Sequence, residues 1–103
     1  MNVETTPNPL SELDQLIHAP ARLNIMTQLY VVESADYIFL KNLTGLTWGN
    51  LSAHAAKLAE AGYLEIKKSI VNKKTHTVAA LTEKGRAAFE AYRQQMMEVL
   101  DNK

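Results

Sequence analysis

The chain predicts a mainly helical α+β fold with one small β-hairpin, in the order helix, helix, helix, helix, strand, strand, helix. Three observations carry that expectation. Apolar residues recur at helical spacing as far as Gly62. The pattern switches to strand-like, β-branched composition between Tyr63 and Val78. Helical spacing then returns after Thr82.

Residues 1–8 are polar, contain Pro7 and read as a frayed start. Asn8-Pro9 then supplies an N-cap and a first helical residue, and Leu10, Leu13, Leu16 and Ile17 follow at helical spacing to His18. Pro20 opens the second helix, whose Leu23, Ile25, Met26, Leu29 and Tyr30 are apolar around most of the circumference, the mark of a buried core helix. In the third, Tyr37, Leu40 and Leu43 lie three apart and Gly45 can take the left-handed conformation that ends a helix. Ile38 and Phe39 are apolar beyond what that stripe requires.

Thr47 stands as N-cap of the fourth helix, with Leu51, Ala55, Leu58 and Gly62 at i, i+4, i+7 and i+11. Tyr63, Leu64, Ile66, Ile70 and Val71, then Thr75, Thr77 and Val78, make two strands around the turn former Asn72. Thr82 caps the last helix, with Phe89, Tyr92, Met96, Val99 and Leu100 on one side. Two helices joined by the tight turn "TGLT", followed by a lysine-rich hairpin, form a winged helix-turn-helix.

The 103 residues, 47% of them hydrophobic, suit a single domain over 1–103. The absence of cysteine excludes a disulfide framework, a thiolate metal site and a cysteine nucleophile. No apolar run has the roughly 18 residues of a membrane span and the N-terminus lacks signal-peptide features, so the expected location is cytoplasmic. Net charge is zero, but it is sorted along the chain. Residues 1–46 hold two basic against five acidic residues, 47–86 seven against three, and the remainder two against three. A local basic surface matters more to a polyanion than the total does.

The run "GLTWGNLSAHAAKLAEAGYLEIKKSIVNKKTHTVAALTEKGRAAFEAYRQQM" resembles the small winged-helix DNA-binding transcriptional regulators related to the MarR and ArsR types. The matching signature is "LTxGNLSxHxxxLxxAGYL", a short basic wing, then "LTxxGRxAFxxY", and the likeness extends over roughly residues 10 to 100. Ala55 stands where the family usually has leucine, and "KKTHT" replaces a proline-containing, more arginine-rich wing. The resemblance implies that a recognition helix at about 47–61 enters the DNA major groove and that a wing at about 71–76 reaches backbone or minor groove. It also implies that the first and last helices build a homodimer, and that the chain is a sequence-specific regulator of transcription, expected to act as a repressor.

The residues of the fourth helix agree with this independently. At about 100° per residue, inward Leu51, Ala55 and Leu58 leave Gly49, Asn50, Ala53, Ala56, Lys57 and Glu60 on the outward arc. Small residues there give the helix clearance to sink into a groove. Asn50 can pair with an adenine edge, unless it is spent on a local helix-start bond; Lys57 can reach guanine or phosphate; Thr47 and the free amides of the first turn can hold a phosphate. Ser52 and His54 flank the arc, and Trp48 rests at its edge, each with a packing or self-bonding role as the plain alternative. Lys67, Lys68, Lys73, Lys74 and His76 cluster on the hairpin, followed by Lys84 and Arg86. Lysines also discourage edge pairing in solvated hairpins, but beside a groove-shaped helix they favour DNA.

The dimer contacts expected are Leu10, Leu13, Leu16 and Ile17 from the first helix and Phe89, Tyr92, Met96, Met97, Val99 and Leu100 from the last, against the alternative that both helices fold back on their own core. Nothing suggests a cofactor or a metal, and a small-molecule effector is left unidentified. There is no glycine-rich phosphate loop, and the histidines at 18, 54 and 76 lie on separate elements, so no enzyme is expected. A winged helix that binds protein instead of DNA is the alternative function.

Overall fold

The computed structural model describes residues 13–101. Helix α1 (Pro20–Val32) is followed by strand β1 (Ser34–Asp36), helices α2 (Tyr37–Thr44) and α3 (Trp48–Glu60), strands β2 (Leu64–Val71) and β3 (Lys74–Leu81), and helix α4 (Glu83–Asp101). The winged helix-turn-helix expected from the sequence is present.

Two elements differ from expectation. The helix expected to run to His18 is absent over residues 13–18: its expected start lies outside the described residues, and from Leu13 to Ala19 the chain makes a bend and one turn. The cause is Asp14, whose Oδ1 accepts from the amides of Leu16 (2.9 Å) and Ile17 (3.2 Å), closing a local turn in place of a longer helical ladder. The second difference is β1, which adds a third strand. The antiparallel order is β1-β3-β2, with Ser34 opposite Ala80 and Asp36 opposite Val78. Three residues are too few to show a period.

The helix ends follow from their residues. Asp36 finishes β1 and caps α2, its Oδ1 accepting from Phe39 N at 2.7 Å. Gly45 ends α2 at φ 74°, its amide reaching Lys41 O. Thr47 caps α3 through Oγ1, which accepts from Asn50 N at 3.1 Å. At the far end of α3, Gly62 N donates to Ala59 O and Tyr63 N to Leu58 O, a paired closure that turns the chain into β2 with Gly62 at φ 86°.

One core unites every layer. Leu13 and Ile17 from the N-terminal turn, Ile25, Met26 and Leu29 of α1, Leu40 of α2, Leu51, Ala55 and Leu58 of α3, Leu64 of β2, Ala79 of β3, and Phe89 and Tyr92 of α4 are all buried. Ala55 is fully buried, so its small size serves close packing of α3 on this core. Four of the expected dimer residues, Leu13, Ile17, Phe89 and Tyr92, are thereby corrected to core residues, because burial within their own chain leaves no surface to offer a partner. His18 Nδ1 lies 2.7 Å from Tyr92 Oη and Tyr63 Oη donates to Asp14 Oδ2, bonds that fasten the turn to α4 and to the start of β2.

Candidate nucleic-acid interface

Helix α3 presents the surface the sequence leads one to expect. With Leu51, Ala55 and Leu58 buried, Gly49, Asn50, Ser52, Ala53, Ala56, Lys57 and Glu60 are exposed. No side chain larger than a serine stands at 49, 52, 53 or 56, so the backbone can approach a groove floor closely. The local bond at the start of α3 uses only the Asn50 amide and leaves its carboxamide outside that cap. Thr47 Oγ1 accepts in that same bond and keeps its hydroxyl hydrogen for another partner.

The two flanks of this face are built differently. On one, Trp48 is 52% exposed, with Lys41 Nζ 5.4 Å above its ring. It lines an open groove of about 330 Å³ with Asp36, Tyr37, Ile38, Thr75, His76 and Thr77. The groove exists because β1 stops at the Asp36–Val78 pair, leaving the edge of β3 at Thr75–Thr77 unpaired by it while the chain turns into α2. Trp48 and His76 are thus brought to one place. Burial pushes the Tyr37 hydroxyl pKa above its usual value. On the other flank, Asn50, His54 and Lys57 form one ridge at i, i+4 and i+7. There the half-buried His54 faces α1, its Nδ1 3.2 Å from Arg22 Nη1.

The wing is a two-residue hairpin. Val71 pairs with Lys74, and Asn72 (φ 51°) and Lys73 (φ 65°) both take the left-handed conformation of a type I′ turn. Asparagine suits such a site and lysine does not, so the tip carries a residue chosen for something other than backbone comfort. Strand alternation divides the lysines: Lys68 continues the face of Leu64 and Ile66, whereas Lys67, Lys74 and His76 point the other way. Lys67 is 4.0 Å from Glu65. The two basic residues after the wing are not part of this cluster: Lys84 lies over the Tyr63 ring, and Arg86 lies 5.0 Å over the Tyr30 ring and 4.0 Å from Glu33. Sequence reasoning missed Lys41 and Arg22 as neighbours of the α3 face, because both come from other helices and no spacing rule links them to it.

Among the expected dimer residues, Leu10 lies outside the described chain. Leu16, Met96 and Val99 are half-buried, and Met97 and Leu100 are exposed. Beyond Tyr92, α4 has no buried residue, and of its last two turns Met96 still packs against the core. Ile38, Phe39 and Leu43 on α2 are exposed as well. Among the described residues no group of acidic, histidine or cysteine side chains is arranged to hold a metal, and no helix is long and apolar enough to cross a membrane.

Comparison with known proteins agrees with this geometry. An uncharacterised protein of Methanocaldococcus jannaschii is 34% identical over 88 residues, 85% of this chain and 96% of that one. The transcriptional regulator homologue protein from Pyrococcus horikoshii OT3 superposes with a TM-score of 0.83 at 26% identity, over 90% of this chain and 94% of that one. A MarR family transcriptional regulator from Silicibacter pomeroyi shares the fold with a TM-score of 0.65 at 18% identity, over 90% of this chain and 62% of that one. Residues 21–100 match the family model described as a winged helix DNA-binding domain, and to that family the chain belongs.

Proposed function

We propose that this protein is a sequence-specific double-stranded DNA-binding regulator of transcription, a cytoplasmic repressor that works as a homodimer. The observation that carries the reading is the solvent-facing arc of α3, where Gly49, Ala53 and Ala56 give clearance and Asn50 and Lys57 project as reading and anchoring groups. Helix α3 lies in the major groove, and Lys68, Lys73 and Lys74 of the wing neutralise backbone phosphate. Met97 and Leu100, with Met96 and Val99 beside them, supply the symmetric contact between copies. The operator is then pseudo-palindromic, with half-sites about one helical turn, or about 10 base pairs, apart.

Selection of bound duplexes from a random-sequence pool tests this. The expected outcome is an inverted repeat with that spacing, lost on Asn50→Ala. Retention of no sequence at all would favour the second reading, a winged helix that binds protein, for which the exposed Ile38, Phe39 and Leu43 of α2 are the supporting observation.

A further inference from the structure

Arg22 carries a charge that meets no counter-ion among the described residues. It stands in the first turn of α1, half-buried. Its Nε donates to Leu16 O at 2.6 Å, and its Nη1 lies 3.2 Å from His54 Nδ1. A guanidinium has five N–H donors and no acceptor. Two consequences follow. His54 Nδ1 must be the acceptor, which puts the ring proton on Nε2, and three guanidinium N–H groups are used by no described residue. No contact among the described residues uses the His54 Nε2–H.

The position gives these donors a use. His54 lies on the ridge of α3 that also holds Asn50 and Lys57, both exposed, and this ridge is on the flank opposite the one where Trp48 meets Thr75, His76 and Thr77 of the wing. A helix lying in a major groove has a phosphate backbone on each side. The wing lysines serve one side. The other is faced by Arg22, His54 and Lys57.

We propose that Arg22 and His54 form a second phosphate-binding site, which takes a phosphodiester of the DNA strand on the side of α3 away from the wing. The Arg22 fork supplies the charge and paired N–H groups, and His54 Nε2–H a further donor. The bond to Leu16 O and the contact with His54 hold the guanidinium in place before DNA arrives, so little side-chain freedom is lost on binding. The inference rests on the DNA-binding reading above.

The test is the salt dependence of affinity for a mixed-sequence duplex of about 30 base pairs, for the wild-type protein, Arg22→Lys and Arg22→Gln, with thermal melting of each. Arg22→Gln is expected to reduce the slope of log K against log salt by about 0.9 per protomer and to weaken binding about tenfold at low salt, while Arg22→Lys keeps the slope. Equal slopes for wild type and Arg22→Gln, with a steep wild-type slope, overturn the phosphate site and leave the DNA reading standing. A flat wild-type slope overturns both. Should Arg22→Gln fail to fold, His54→Phe carries the test: binding weakened about threefold with an unchanged helix content is expected, and unchanged binding overturns the site.

Discussion

Gly85 shows how closely one residue can be specified. A Cβ built there would overlap the carbonyl oxygen of Tyr63 and lie 2.9 Å from Leu81 Cδ1, so α4 meets the β2 start at bare backbone distance. Around it Thr82 Oγ1 donates to Gly62 O (2.6 Å) and accepts from Gly85 N (2.9 Å), while Thr82 N donates to Tyr63 O (3.0 Å). Alanine is the better helix former by about 1 kcal/mol, but the clash is with backbone that cannot yield. Gly85→Ala is therefore expected to destabilise the fold by about 1–3 kcal/mol in chemical denaturation. Tyr63 itself is pushed up to about 12, mainly by burial and then by its bond to Asp14. A raised folded value means that the native state holds the proton more tightly. The stability linked to it is present below about pH 10, the unfolded value, and is lost as pH rises from there towards 12. Tyr63→Phe is expected to flatten that part of the stability profile, measured by melting temperature between those limits.

Element by element, the sequence was legible where one rule decided the outcome. The caps at Thr47 and Gly45, the buried stripe Leu51, Ala55 and Leu58, and the Asn72 turn each followed from local chemistry, and the structure has them. Strand β1 was not legible because its three residues gain their identity from β3 alone, and the first helix was overread because Asp14 closes a turn that its flanking leucines conceal. The wing tip invites a substitution that separates stability from binding. Lys73→Gly relieves a left-handed lysine, so the melting temperature is expected to hold or rise slightly, while one phosphate contact is lost and affinity for DNA falls. In α4 the exposed Met97 and Leu100 carry the proposed contact between copies. Changing both to glutamate is expected to yield monomer in sedimentation equilibrium with an unchanged helix content, since neither is in the core; a dimer that persists would assign the contact elsewhere.

At the scale of the whole molecule, the candidate site could be read from the sequence only in part. The outward arc of α3 and the wing lysines were visible because each lies within one element. The Trp48 groove, which joins α2, α3 and β3, and the Arg22–His54 contact, which joins α1 to α3, arise from tertiary placement. Zero net charge does not show this placement for the same reason: the fold sets Lys84 and Arg86 over the rings of Tyr63 and Tyr30, and Lys57, Lys68, Lys73 and Lys74 are exposed. The central claim is that this face binds duplex DNA by its phosphates and reads it through Asn50. Fluorescence anisotropy with the duplex upstream of the protein's own gene, titrated across salt concentrations, tests it most directly. With roughly five phosphate contacts per protomer, log K is expected to fall against log salt with a slope of about −4 to −5 per protomer. Lys73→Ala with Lys74→Ala should lower that slope by about two contacts, and Asn50→Ala should cost about 1–3 kcal/mol on this sequence alone. Salt-independent or absent binding at micromolar protein would contradict the account.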